Sequence, residues 1–195
     1  MICNSIIGEC FCSAPAKTPP ALATQLADME TMQQTDRVGL IEAKLSIQEC
    51  LAIWADSLDR SEYEHLNDIW TEDCQFRTFE NDLAYQAGKP ALSGSDRADS
   101  IAQLGGLLSR IGQTHHFIGN IRIDLNGSEA RAECLVRTYH APPEPTQGQF
   151  WESLARMYVR LERRDRWRIR LQDYVVLIGL GSLDIFRRRK PVLSV

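Results

Sequence analysis

Apolar positions recur at three- and four-residue steps from Leu40 to Leu58, through Ile41, Leu45, Ile47, Leu51 and Trp54. That spacing predicts an amphipathic helix with one buried stripe. Ser61-Glu62-Tyr63-Glu64 sets Ser and Glu three apart, a capping-box pattern that opens a second short helix through about Trp70. Thr71-Glu72-Asp73 ends it, Cys74–Thr78 reads as a short strand, and Phe79–Leu92 reads as a long loop. Ile101, Leu104, Leu107 and Leu108 share one stripe within Ser95–Arg110, which predicts a third helix.

Beyond Gly112 the period changes to that of strands. Thr114–Leu125 and Ser128–His140 are β-rich runs joined by Asn126-Gly127, a strong short-range hairpin signal. Ala141–Gln149 is a Pro- and Gly-containing loop, and Phe150–Glu162 with Trp167–Leu177 forms a second hairpin around Arg163–Arg166. Helices first and strands afterwards predict an α+β domain, with helices packed on one face of a curved antiparallel sheet. The expected organisation is a flexible N-terminal arm over 1–38, one domain over 39–186 and a basic C-terminal tail over 187–195. Within the arm, Ala21–Met32 has the pattern of a helical turn or two.

Composition narrows the function. The 195 residues carry a net charge of −4, so no global positive field exists to hold nucleic acid. No apolar run reaches the roughly 20 residues that span a bilayer. Met1–Ala16 is mildly apolar, but it lacks a basic start and Glu9 interrupts it, so a cytoplasmic protein is expected. Of six cysteines, only Cys10 and Cys12 form a close pair, too few for a structural zinc site. Cys50, Cys74 and Cys134 fall singly inside predicted elements and read as buried free thiols.

Candidate chemistry concentrates in the histidines. With Asn126 and Gly127 as the turn, His115 and His116 fall opposite Thr138 and Arg137, two or three residues short of His140. One bulge or a slightly longer loop closes that gap. Paired imidazoles at a sheet end can give and take protons near neutral pH, although a strand histidine is more often a satisfied core or rim residue. No neighbouring Asp or Glu completes a three-ligand metal spacing, so no metal is expected. In the second strand Ala130, Ala132, Cys134, Val136, Thr138 and His140 share one small, largely apolar face, suited to line a pocket. In the first, His115 shares its side with Phe117, Ile121, Ile123 and Leu125, which favours His115 as the inward ring. Asp59 ends the first helix, where the macrodipole disfavours an acid; it either caps the next helix or holds a histidine in one tautomer. His65 has no evident role. Arg166, Arg168 and Arg170 alternate along a strand as a solvated face or an oligomer contact, and Arg187–Lys190 reads as a solubilising run.

At these residues the chain resembles the scytalone dehydratase-like, SnoaL-like branch of the nuclear transport factor 2-like superfamily. The resemblance runs over about Leu40–Phe186. It is carried by Trp54-Ala55-Asp56-Ser57-Leu58-Asp59 with Tyr63 and Leu66, by Thr114-His115-His116-Phe117-Ile118-Gly119, by His140 and by Trp167. It implies a cone-shaped barrel, with Asp59, His116 and His140 as the catalytic residues and His116 rather than His115 facing the pocket. It further implies a substrate site that includes Trp54, Leu58, Tyr63, Thr78 and Arg156. Leu58 and Thr78 stand where the family has tyrosines, and Arg156 where it has an asparagine.

The implied activity is a cofactor-independent dehydratase, isomerase or cyclase of secondary metabolism, acting on a polyketide-like or polycyclic small molecule. The alternatives are a non-catalytic cone-fold subunit and a ligand-binding module. A homo-oligomer, dimer or trimer, is also expected, because Trp167, Ile169 and Val175 look like a sheet side that needs a partner.

Overall fold

The structure, a computed structural model, describes residues 20–144 and 148–187, without the side chains of 20–33 and 35. The first 19 residues of the expected arm, and the basic run beyond Arg187, lie outside the described residues. The chain divides into two units, Met1–Gly39 and Leu40–Val195; the site belongs to the second. Helix α1 spans Pro20–Asp59, so the segment expected to hold a turn or two is helical from Pro20 onward.

In the second unit, α1 buries Ala43, Ile47, Cys50, Leu51, Trp54, Ala55 and Leu58. Leu40, Ile41 and Leu45, expected on this stripe, are instead exposed; Ala43 and Cys50 continue it. The capping box does not form. Ser61 takes φ 59, and the turn that follows, a 3₁₀ turn over Tyr63–His65, has Glu62 at its cap with no side-chain hydrogen bond. Helix α2 is a single turn, Leu66–Ile69, and Trp70 already begins β1 (Trp70–Phe79). The expected long loop contains α3 (Asp82–Gln86), whose cap Asn81 accepts from the Ala84 N–H, and β2 (Leu92–Gly94). Helix α4 covers Arg97–Leu108, with Asp96 accepting from the Asp99 N–H.

Two hairpins follow: β3 (Gln113–Asn126) with β4 (Glu129–Ala141), and β5 (Trp151–Arg163) with β6 (Trp167–Gly181). The sheet order is β2-β1-β6-β5-β4-β3. All pairs are antiparallel except β1 with β6, which is parallel. The inner face packs on α1, α2 and α4 in one core that includes Trp54, Trp70, Met157 and Ile169. Cys50, Cys74 and Cys134 are free and buried in it, and burial raises all three thiols, Cys50 to about 11 and Cys134 to about 12.

Trp167, Ile169 and Val175 do not form an exposed side. Trp167 and Ile169 sit in the core, and Val175 is covered beside Phe79, on which Tyr85 of α3 packs edge-on at 5.1 Å. Asp173 is buried on the same outer side and takes a two-point bond from Arg77, at 2.6 and 2.7 Å. Arg166, Arg168 and Arg170 make surface ion pairs with Asp68, Asp165 and Asp73. Such exposed pairs add little stability.

The β3–β4 hairpin decides which histidine faces inward. Its turn residues are Gly127 and Ser128, with Asn126 facing Glu129. Gly127 supplies the positive φ, 60, that the first turn position needs. Further along, Asn120 and Ile121 together face Cys134, between the pairs Gly119–Leu135 and Arg122–Glu133. This is a β-bulge, with Asn120 at φ 52. A bulge resets the alternation of faces. Ile121, Ile123 and Leu125 point inward beyond it, whereas Thr114, His116 and Ile118 point inward before it. The pattern reading that favoured His115 carried one parity through the bulge, and it fails for that reason. A branched side chain at Asn120 meets the steric penalty of the left-handed region. Asn120→Val is therefore expected to lower stability by roughly 1–2 kcal/mol while Asn120→Gly leaves it nearly unchanged, as read by urea denaturation.

Candidate active site

The end of α1 meets the start of β3 through one carboxylate. The His116 main-chain N–H donates to Asp59 Oδ2 at 2.9 Å, and His116 Nδ1 lies 2.6 Å from Asp59 Oδ1. A carboxylate only accepts, so Nδ1 carries the proton of this contact. The His116 side chain is 5% exposed, against 73% for His115, whose Nδ1 stands 3.5 Å from Asp59 Oδ2 at the surface. Asp59 caps no following helix; its oxygens are occupied by β3.

His140 comes to the same place from β4. Thr114 pairs with His140 and His116 with Thr138, so both rings fall on the inner face. The rings of His116 and His140 are 5.7 Å apart at 74°. Trp54 packs edge-on to His116 at 5.1 Å, and Phe186 does the same to His140 at 5.2 Å. These contacts fix both ring planes. His140 Nδ1 is buried with no hydrogen-bond partner among the described residues, an orphaned polar atom that calls for a ligand or water.

Both rings line a cavity of about 850 Å³ between the inner face of the sheet and α1 and α4. Of the residues that the resemblance assigns to substrate, Trp54, Leu58 and Thr78 are on its wall. Tyr63 is not; its ring lies against Gly105 of α4. Arg156 is not either. The inward residues of β5 are Ser153, Ala155, Met157 and Val159, and Arg156 falls on the opposite side beside Glu133, 3.2 Å away.

Other wall residues escape sequence reasoning. Trp151 faces His140 across β4–β5 and lies over Gly179, where any side chain would strike its ring. Thr138, Ser153 and Tyr174 form a buried hydroxyl cluster on the same wall. Thr138 Oγ1 is 2.7 Å from Ser153 Oγ, and Ser153 Oγ is 2.9 Å from the Tyr174 hydroxyl. The available signal was polar residues at inward parity in apolar strands. Thr138 showed it, but Ser153 and Tyr174 required the pairing of three strands.

Charge at the site is divided. Burial alone would raise the Asp59 carboxyl, but the side-chain and main-chain hydrogen bonds from His116, with the nearby imidazoles, outweigh it and hold the group below its ordinary value. His140 is pushed the other way from a usual imidazole, from 6.5 down to about 3, first by burial and then by His116. The site therefore holds an ionised Asp59 and a neutral His140 at neutral pH. Among the described residues, no group of three or more His, Cys, Asp or Glu is placed to hold a metal ion. No helix among them is long and apolar enough to cross a membrane.

Helices on one face of a curved six-stranded sheet, with a cavity between the layers, define the nuclear transport factor 2-like class of fold. Residues 40–172 match the SnoaL-like domain, and the chain belongs to that family. A protein from Novosphingobium aromaticivorans, provisionally called a scytalone dehydratase, is 17% identical with a TM-score of 0.63, over 75% of this chain and 91% of that one. The hexachlorocyclohexane dehydrochlorinase LinA-type3 from Novosphingobium barchaimii is 15% identical with a TM-score of 0.60, over 77% and 94%. A nuclear transport factor 2-like protein with a cystatin-like fold, from Novosphingobium aromaticivorans, is 19% identical with a TM-score of 0.61, over 79% and 93%. At these identities the likeness is one of fold. No curated protein matches the chain in sequence.

The depressed His140 value has a consequence for stability. An unfolded chain protonates this imidazole below about 6.5, whereas the folded one stays neutral down to about 3. Stability is present in full above 6.5 and is lost as pH falls through that window, by up to about 1.4 kcal/mol per pH unit. Asp59, also depressed, adds its own loss at lower pH. Denaturant titrations between pH 7 and pH 4 should show this slope, and His140→Asn should flatten it.

Proposed function

We propose that the protein is an acid–base enzyme that needs no metal or organic cofactor, and that Asp59, His116 and His140 carry its chemistry. The observation that supports this best is the 2.6 Å contact of Asp59 with His116, beside an unpartnered His140 on the wall of one large cavity. Asp59 lies behind His116, fixes its tautomer and leaves Nε2 as the base. When His116 takes a proton from carbon, the carboxylate behind it stabilises the imidazolium. His140, kept neutral by burial, donates a hydrogen bond to the departing or developing oxygen, and the His116 imidazolium returns the proton it took from carbon.

This pair serves a dehydratase, an isomerase or a cyclase, since each begins by abstracting a proton beside a carbonyl and returns one elsewhere. A lyase is favoured by the dehydratase and dehydrochlorinase among the similar folds. The cavity has mostly apolar walls (Leu58, Phe76, Leu104, Leu108, Trp151, Phe186) and suits a flat polycyclic substrate of the polyketide type. A scaffold subunit or an inert binding module has no need of a carboxylate held on a buried imidazole.

The test is solvent exchange and turnover on a panel of aryl ketones and β-hydroxy ketones in deuterated water, followed by NMR. The wild type should exchange the proton beside the carbonyl, and His116→Ala or His140→Ala should each lose about 100- to 10,000-fold. Dialysis against a strong chelator should leave the rate unchanged. Near-normal exchange in both variants overturns the mechanism in favour of a binding module.

We also propose that the protein forms a homo-oligomer through the outer sheet face. Phe117, Arg137, Leu154 and Ile178 form one row across β3–β6, with Phe117 65% and Ile178 53% exposed. Light scattering at micromolar concentration should give a dimer or trimer, and Phe117→Asp should shift it to the 22.1 kDa monomer.

A further inference from the structure

The Thr138–Ser153–Tyr174 cluster has three donors but only two short hydrogen bonds among them. We infer that it is the oxygen-binding subsite of the cavity, with the Tyr174 hydroxyl donating to a carbonyl oxygen of the substrate. This rests on the acid–base reading above and adds the group that holds the substrate.

The argument is a proton count. Three hydroxyls carry three protons, and the cluster has two short edges, Thr138–Ser153 at 2.7 Å and Ser153–Tyr174 at 2.9 Å. Along the third edge the Tyr174 hydroxyl donates to Thr138 Oγ1 at 3.4 Å, a long and weak bond that a substrate oxygen can replace. Ser153 has one proton and so donates along one short edge only. Two arrangements fill both edges: Tyr174 to Ser153 to Thr138, and the reverse, Thr138 to Ser153 to Tyr174, which frees the phenol for a carbonyl oxygen and so places all three protons on good bonds. Each bond polarises the next, so the last hydroxyl becomes a stronger donor. That last hydroxyl is the phenol, the most acidic of the three. Burial raises its pKa above the ordinary value, with the Ser153 and Thr138 bonds opposing, so it stays protonated and able to donate.

Position fits the role. Thr138 faces His116 across β3–β4 and lies two residues from His140 on the same face. Tyr174, Ser153 and Thr138 line the same cavity as both rings and are 8%, 3% and 2% exposed. A ketone whose oxygen accepts from the Tyr174 hydroxyl therefore shares one cavity with the base. When His116 removes a proton from the carbon beside that carbonyl, the bonding pair moves onto the oxygen. The same hydrogen bond then stabilises the enolate more than it did the ketone. The substrate class is thereby narrowed to carbonyl-bearing compounds.

The test compares 2-acetylnaphthalene with 2-ethylnaphthalene, which match in shape and differ by the carbonyl. Affinities of the full-length protein are measured by fluorescence. The wild type should prefer the ketone by roughly 3- to 10-fold, the worth of one hydrogen bond. Tyr174→Phe should bring the ratio near one with hydrocarbon binding unchanged, and Ser153→Ala should lower it. His116→Ala should keep the ratio while losing solvent exchange, so that failure of the acid–base mechanism and failure of this subsite read differently. A preference retained in Tyr174→Phe overturns the inference, as does absence of ketone preference in the wild type. Should Tyr174→Phe fail to fold by circular dichroism, an unchanged ratio in folded Ser153→Ala overturns it instead.

Discussion

A strand delivers alternate residues to opposite faces, and the site depends on where that alternation is broken. One extra residue at Asn120–Ile121 lets the apolar end of β3 and its histidine end both point inward. Without the bulge, either Ile121, Ile123 and Leu125 or Thr114, His116 and Ile118 would turn to solvent. The distal half then anchors β3 on the core, and the proximal half is left to present His116. Asp59 completes the arrangement from α1, 57 residues away in sequence, with one bond to the main chain of β3 and one to the ring. The main-chain bond sets the strand's height against the helix, and the side-chain bond sets the ring.

Two histidines 5.7 Å apart would compete if both were free to charge. The structure removes the competition. His116 stands on a carboxylate, while His140 is buried against Phe186 with no acid of its own and is held neutral. The two rings thus differ before any ligand arrives: His140 is neutral, and His116 Nδ1 is committed to Asp59. Separating the proton affinities of neighbouring groups by environment is how acid and base roles coexist in one pocket.

Local pattern made much of this legible. The helix over Leu40–Leu58, the two hairpins and the inward face Ala130–His140 follow from period alone. Failures trace to what period does not contain. The Ser61 capping box was disqualified by a left-handed φ, and His115 was favoured because a bulge is silent in a parity count. Val175 read as exposed because α3, which covers its surroundings, lay in a stretch without periodicity. The parallel pairing of β1 with β6 joins strands about 100 residues apart, and no local signal marks it. Arg156 is implied at the site by the resemblance alone, and the alternation of β5 turns it away from the cavity.

Leu58 and Thr78 stand on the cavity wall where the resemblance implies tyrosines. Both line the cavity without a phenol. Thr78, however, is the direct neighbour of Tyr174 in the β1–β6 pair. A hydroxyl borne on β6 therefore reaches the wall that a longer side chain on β1 would have served, and Ser153 and Thr138 support it from the next two strands. Sheet register makes such a transfer inexpensive, because inward residues on adjacent strands stand about 5 Å apart. Tyr174 lies on the same wall as His140. His116, Thr138, His140, Ser153 and Tyr174 form one polar strip across β3–β6, and Glu80, Asn81 and Arg187 add polar groups elsewhere on the wall.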